Sequence, residues 1–240
     1  MTQLSAEVKT LGEVCESSRS AMYKVYSEHY DATGRIQFNK DLDSKTHIVL
    51  MRDQSGVVQG FSSLARYWRN YLGRKIQVVY SGDTVIHREY WGEQVLPERW
   101  IKLTGQFKRE APDAPLYWFL IVKGHRTYRY LSIFSKEYYP SYKQPTPIET
   151  QKLIDELAIE RFTEFYKPAT GLIQFPQSRG HLKASIRGVP DNALRRAEVQ
   201  YFMKRNPGYV NGDELVCLTE LSVENLSRRA QKHFVKGLNG

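Results

Sequence analysis

Asp83, His87 and Glu89 stand at even steps within residues 78–100, VVYSGDTVIHREYWGEQVLPERW. A regular strand would turn all three side chains to one face, and Thr84 and Ile86 to the other. The imidazole of His87 titrates in the physiological range without any perturbation. Taken singly, each of the three is more often solvated or held in an ion pair than reactive, so what surrounds them decides. Gly82 interrupts the run, and a glycine in such a place marks a bulge or a close approach to the backbone. Further on, Gly92 and Pro97 give a glycine turn and a helix start in succession, a geometry that points helical N–H groups at an anion. One glycine is not a phosphate cradle, and an ordinary strand-to-helix turn explains the same residues.

The elements that must position these residues follow from hydrophobic pattern. Val78, Val79, Tyr80, Thr84, Val85 and Ile86 are β-branched or aromatic and predict a buried strand, after which Trp100, Ile101, Leu103 and Phe107 recur at helical spacing. Upstream, Met22, Val25, Tyr26 and His29 predict a first helix over about 18–29, with Ser17 or Ser18 as its cap. Residues 30–45 read as a polar connection, and 46–51 and 57–65 as a hairpin about Asp53-Gln54-Ser55-Gly56. Downstream, LYWFLIV (116–122) predicts a fully buried strand, and Tyr130, Leu131 and Phe134 a helix over 126–134. Thr146-Pro147-Ile148-Glu149 has the form of a capping box and opens a long amphipathic helix. Two more helices are expected near 191–204 and 222–236, with a short apolar run at 214–218 between them. This order predicts an α/β protein with a mixed sheet, residues 1–145 as its core and 146–240 as a mainly helical C-terminal extension packed on it.

Composition narrows the function classes. With 41% hydrophobic and 25% charged residues the chain has the makeup of a globular protein, without disorder. The longest apolar run, 116–122, is too short to cross a bilayer, and the N-terminus lacks the basic-then-apolar build of a signal peptide, so a cytoplasmic location is expected. Cys15 and Cys217 are the only cysteines and no two histidines have HxxxH spacing, so neither a disulfide framework nor a metal site is expected. Neither GxxxxGK[ST] nor GxSxG occurs. A net charge of +9 fits an acidic partner: nucleic acid, anionic lipid, a phosphate-bearing cofactor or an acidic carrier protein. KGHRTYRY (123–130) interleaves cations and aromatics as nucleic-acid surfaces do. The strand before it is apolar on both faces and leaves little room for a stacking platform, which makes a nucleic-acid module the weaker alternative.

The order of elements and three local patterns resemble the GNAT superfamily of coenzyme A-dependent N-acyltransferases. IVLMRDQSGVVQGFSSL (48–64) is similar to the family's second and third strands, VIHREYWGEQVL (85–96) to its fourth strand and pyrophosphate loop, and LYWFLIV with the helix after it to its fifth strand and fourth helix. The likeness covers about residues 18–139. It implies a GNAT-like, mostly antiparallel mixed sheet with splayed central strands, and an enzyme that moves an acyl group from a thioester to a primary amine by direct attack. It implies that the donor arm lies along Thr84, Val85, Ile86 and His87, with Arg88, Trp91, Gly92 and Gln94 toward its phosphate end. It also makes Asp83, His87 and Glu89 the candidates for the base that takes the amine's proton, directly or through water.

The sequence departs from the family pattern in two places. Gly92 matches the first loop glycine, but Gln94 and Leu96 stand where the next two would be, and side chains there should crowd a pyrophosphate's approach to the backbone. Either neighbouring cations such as Arg88 and Arg99 compensate and acyl-CoA is the donor, or the acyl group arrives as acyl-phosphopantetheine on an acidic acyl carrier protein. Phe134 stands where the family often carries an acidic tyrosine, which leaves Tyr128, Tyr130 and Tyr138 as substitutes, Tyr130 being the candidate chosen for the leaving thiolate's proton. Aromatic residues crowd the same region, Trp91, Trp118 and Phe119 among them. Any that line a cavity favour an acyl chain longer than acetyl, at about 0.8 kcal/mol for each buried methylene. The acceptor, whether metabolite, peptide or lysine side chain, is left open, as is the oligomeric state. A catalytically inactive GNAT-like scaffold that binds a carrier protein or peptide is the other alternative.

Overall fold

The apolar runs read from the sequence become the middle of one sheet. The structure, a computed structural model, describes residues 4–240. An edge strand β1 (Ser5–Thr10) leads into α1 (Glu16–Ser27), which starts after Cys15 without a side-chain cap from Ser17 or Ser18. The stretch expected as a polar connection holds a short strand β2 (Tyr30–Asp31) and a helix α2 (Arg35–Asp43), which buries only Phe38 and Leu42 and so leaves little periodic signal. The hairpin β3 (His47–Arg52) and β4 (Val58–Tyr71) turns at Asp53, whose carboxylate accepts from the backbone of Ser55 and Val57.

β4 runs six residues beyond the expected end and turns at once into β5 (Arg74–Ile86), Tyr71 pairing with Arg74. Leu72 and Gly73, at φ 48° and 74°, form that two-residue turn. Asparagine-glycine is the usual signal for such left-handed pairs, and a leucine in the first position concealed it.

After β5 come α3 (Val95–Glu110), β6 (Leu116–Val122) and α4 (His125–Phe134), all close to expectation. The remainder is α5 (Ile148–Phe162), the short strands β7 (Tyr166–Lys167), β8 (Leu172–Ile173) and β9 (His181–Leu182), and the single-turn helices α6 (Ala184–Arg187) and α7 (Asp191–Leu194). It ends with α8 (Ala197–Arg205), β10 (Glu214–Glu220) and α9 (Arg228–Asn239). The capping box at Thr146 does not form: Pro147 is the residue before α5 and no side chain caps it. α9 instead is capped by Ser227, whose hydroxyl accepts from Ala230 N.

Among the described residues the main sheet has eight strands in the order β1-β3-β4-β5-β6-β10-β8-β7. Every neighbouring pair is antiparallel except β5 and β6. The arrangement is the mixed, mostly antiparallel sheet that the resemblance implied, its central parallel pair separating part-way along. The C-terminal segment is mainly helical and also adds β10, β8 and β7 to the sheet, β10 pairing with β6 from Leu215↔Val122 to Glu220↔Tyr117. The apolar run at 214–218 is that strand.

Helices cover both faces. One core joins Val79, Trp118 and Leu120 to Trp100 of α3, Tyr128 of α4, Phe202 of α8 and Phe234 of α9. On the opposite face α5 packs on Val78, Tyr80 and Phe119, and α1 and α2 pack on Phe61 and Val85. α3 and α9 touch through glycines: a Cβ on Gly237 would lie 2.0 Å from Lys102 O, and one on Gly105 2.1 Å from Phe234 O. Among the described residues no helix is long and apolar enough to cross a membrane.

Candidate active site

β5 changes step at Gly82. Ser62 pairs with Thr84 but Leu64 pairs with Ser81, so Gly82 and Asp83 together oppose Ser63 alone. The extra residue is a bulge, and it reverses which side chains face which side. Before it Val78 and Tyr80 face α5, whereas after it Val85 joins the core under α1 and Ile86 the core under α3. A Cβ on Gly82 would lie 2.4 Å from Lys45 Cε and 2.7 Å from Ser63 Oγ, so a larger residue there would have to push both side chains aside.

At the same point β5 leaves β6. The parallel ladder runs from Gln77↔Leu116 to Ser81↔Leu120 and stops, although β5 continues to Ile86 and β6 to Val122. Trp118 Nε1 donates to Ser81 Oγ at 2.8 Å, a last tie between the strands before they diverge. His87 N still bonds Gln59 O at 2.8 Å, and peptide groups alternate along an antiparallel strand, so Thr84 and Ile86 aim theirs at the gap. The Ile86 carbonyl accepts from Trp91 Nε1 at 2.8 Å, which leaves Thr84 as the exposed backbone rung.

Three spaces adjoin at the gap, with Thr84 and Thr127 lining all of them. A cavity of about 350 Å³ opens on the α3 and α4 side, between Trp91, Gly92 and Gln94 on one wall and Arg126, Arg129 and Tyr130 on the other, with Arg229 of α9 at its edge. A small apolar chamber of about 40 Å³ lies under the fork between Leu96, Trp100, Trp118 and Phe134. The third space, about 380 Å³, lies toward α2 and α5 and contains Asp83.

The first cavity suits a chain that ends in phosphate. The Arg126 guanidinium lies 4.4 Å from the centre of the Trp91 ring and donates to Ile186 O at 2.7 Å, which fixes a cation across the mouth of the gap. The first N–H groups of α3 have no partner within the helix. Leu96, expected to crowd an anion, is buried in the core with its side chain lining the chamber, and the Gln94 side chain folds back on Gly92 O. Neither blocks the approach as the sequence implied. His125, buried at the start of α4, is held neutral: burial first, then Arg126 and Arg129, push its pKa down to about 4.

In the third space burial raises the Asp83 carboxyl above its ordinary range, against the opposing pull of Lys123 and then Lys45. Lys123 Nζ lies 3.4 Å from Glu214 Oε1, Lys123 following β6 directly and Glu214 opening β10 on the other side of β6. Lys45 Nζ donates to Asp41 O at 2.7 Å and Ser44 Oγ at 2.9 Å. Tyr130, on the wall shared by the chamber and the first cavity, has its phenol raised by burial, so it keeps its proton until something basic appears beside it.

The structure brings Asp83, Tyr130, Thr84, Val85, Ile86, Trp91, Gly92 and Gln94 to these spaces. It does not bring His87, Arg88 or Glu89. β5 ends at Ile86 and a 3-10 turn covers Arg88–Tyr90, so the even-step register from Asp83 is lost. His87 Nε2 turns to Glu28 Oε2 at 3.4 Å, Arg88 lies over the outer side of Trp91 at 5.8 Å, and Glu89 is exposed. Sequence reasoning missed Lys45, Lys123, Thr127 and Glu214. Only Lys123 and Thr127, in the basic-aromatic stretch 123–130, carried a local signal. Among the described residues no group of His, Cys, Asp and Glu could hold a metal ion.

No family model matches the sequence, and no curated protein matches it. Solved structures with a similar arrangement exist. A probable N-acyltransferase of unknown function from Enterococcus faecalis is 13% identical with a TM-score of 0.39, over 55% of this chain and 33% of that one. The chain thus spans about a third of the length of that protein. The GNAT family N-acetyltransferase YhbS from Escherichia coli, in complex with CoA, is 12% identical with a TM-score of 0.39, over 56% of this chain and 71% of that one. Escherichia coli ElaA is 16% identical with a TM-score of 0.38, over 58% and 93%. Similarity at this level says nothing of activity, and the chemistry has to come from this chain's own residues.

Proposed function

We propose that the chain is an N-acyltransferase that moves an acyl group from a thioester to a primary amine by direct attack. One observation carries this: β5 and β6 part after Ser81 and Leu120, and at the gap a cation-walled cavity adjoins one that holds the half-buried carboxylate Asp83, the two sharing Thr84 and Thr127 in their walls. An extended arm with amide groups fits an unpaired strand edge as an added strand does, and the free rung at Thr84 supports that placement. Arg126, Arg129, Arg229 and the start of α3 favour phosphate at the outer end of the arm. Acyl-CoA is the donor these groups suit best. An acyl-phosphopantetheine carried by an acidic protein would use the same gap.

The amine enters from the Asp83 side. An ammonium is not a nucleophile, and a carboxyl whose pKa is raised toward the working pH accepts its proton more effectively than an ordinary one. The free amine then attacks the thioester carbon in the fork, the carbon–sulfur bond breaks, the departing sulfur takes a proton from Tyr130, and the second proton released by the new amide nitrogen returns through water to the Tyr130 phenolate. Density of aromatic residues favoured an acyl chain longer than acetyl. The chamber of about 40 Å³, lined by Trp118 and Phe134, supports a short one by its size.

The test is release of free thiol from acetyl-, butyryl- and octanoyl-CoA, and from acetylated acyl carrier protein, with and without a mixture of amines, followed by mass measurement of the acylated product. Amine-dependent thiol release, fastest with acetyl-CoA, is expected. Its absence with every donor would leave a binding scaffold and end the proposal.

A further inference from the structure

The acceptor-side cavity carries more positive charge than its own carboxylates offset. Of its cations, Lys123 is engaged by Glu214, and the ammonium of Lys45 donates only to uncharged oxygens. Arg161, at the end of α5, and Arg179, in the loop before β9, form no ion pair among the described residues. The carboxylate that feels Arg179 is that of Glu164, which is exposed. Each guanidinium is fixed by an aromatic face instead. Arg161 Cζ lies 3.9 Å from the centre of the Tyr80 ring, and Arg179 Cζ lies 4.2 Å from Phe175 and 5.0 Å from Phe165. Stacking occupies the flat face of a guanidinium and leaves the N–H donors at its edge free for a carboxylate or phosphate. Lys45 Nζ is also within 5.3 Å of the Tyr80 ring, so two like charges share one aromatic side chain beside an apolar wall. Burial lowers the Lys45 ammonium below its ordinary range against the pull of Asp83, with Arg161 adding to the lowering and Asp41 opposing it, and an arriving anion would relieve what remains of that cost.

We propose that the acceptor is a small amine that also bears an anionic group, carboxylate or phosphate, gripped by Arg161 and Arg179 while its amine turns to Asp83. This rests on the acyltransferase reading for the chemistry, but not for the binding. A free polyamine or an unmodified aminoglycoside, cationic throughout, would meet Lys45, Arg161 and Arg179 with no charge to offer them. The walls of Tyr80, Phe162 and Phe175 add room for an apolar or aromatic portion of the same molecule.

Calorimetric titration without any acyl donor separates the two ideas. Tyrosine against tyramine tests the carboxylate and glucosamine 6-phosphate against glucosamine the phosphate, with spermidine as the cationic control. The member of at least one pair that bears the anionic group is expected to bind tenfold or more tightly than the amine that lacks it, and the preference is expected to vanish in Arg161→Gln and Arg179→Gln variants whose urea midpoints match the parent chain. Which pair shows it identifies the anion. Equal binding within both pairs, or spermidine binding best, would overturn the proposal. So would a preference that survives both substitutions. Turnover is read separately: anionic amines that bind but are never acylated would refute the acyltransferase reading and leave this site standing.

Discussion

Asp83 lines the cavity proposed for the acceptor because β5 slips by one residue at Gly82, and its proton affinity follows from its desolvation there. A carboxyl with a raised folded-state pKa holds its proton more tightly in the native chain than in the unfolded one. Ionised Asp83 therefore costs stability, fully above its folded pKa and not at all below the ordinary aspartate range. Asp83→Asn should lower kcat by about 10²–10⁴ and abolish the acid limb of the pH–rate profile that lies above the ordinary carboxylate range. The same variant should unfold at a temperature equal to or above the parent's at pH 8, the difference closing as pH falls through the raised pKa. An unchanged kcat would remove Asp83 from the chemistry, and a large loss of stability at pH 8 would mean that Lys123 and Lys45 need its charge more than burial opposes it. At this scale the candidate site was legible where it lies in one continuous stretch: Asp83, Thr84, Trp91, Gly92 and Gln94 all follow from β5 and the turn after it. His87 and Glu89 were misplaced because nothing local announced that β5 ends at Ile86. Lys45 and Glu214 come from elements far away in the chain, brought beside Asp83 by packing, and no spacing rule links them to it.

Helices hold the donor side in shape, and α9 depends on a contact that sequence pattern does not reveal. Gly105 and Gly237 let α3 and α9 approach until backbone meets backbone, which carries Arg229 into the lining of the cavity proposed for the donor. Gly237→Ala would gain about 1 kcal/mol of helix propensity but forces a methyl group to 2.0 Å from Lys102 O. Overpacking of this kind costs about 1–3 kcal/mol or more where backbone must move, so the urea midpoint should fall and the KM for acyl-CoA should rise more than kcat falls. A midpoint at or above the parent's would mean that the two helices are not in that contact. Elements with a strong period were readable, as α3, β6 and α4 illustrate. α2 was not, since two buried residues make no stripe, and the β4–β5 turn was not, since Leu72 adopts a conformation that leucine rarely takes. Glycine was legible as a breaker but not as a spacer: the same residue type marks the bulge at Gly82, the loop at Gly92 and the helix contact at Gly237, and only the fold tells them apart.

For the molecule as a whole the deciding fact is where β10 goes. Residues 1–145 and 146–240 were expected to be a core and an appended extension, yet β10 lies in the sheet beside β6 and pairs with it along six residues. Leu116, Trp118, Leu120 and Val122 share one core with Phe202, Leu215, Cys217 and Phe234, all from the second segment. Without that segment β6 becomes an open edge, apolar on both faces, which is the kind of strand that pairs with other chains. A chain ending at residue 145 should therefore be recovered largely as aggregate, or as a dye-binding compact state without a sharp unfolding transition, whereas the full chain should unfold in one transition followed alike by tryptophan fluorescence and far-ultraviolet circular dichroism. The two segments should not be separable by limited proteolysis at the 141–146 loop either, because cleavage there leaves the β6–β10 ladder intact and the nicked halves should elute together. A soluble 1–145 fragment with its own cooperative transition would show that the sheet has an independent N-terminal half. Arg161 and Arg179 would then belong to a detachable acceptor-side module rather than to one folding unit with Asp83.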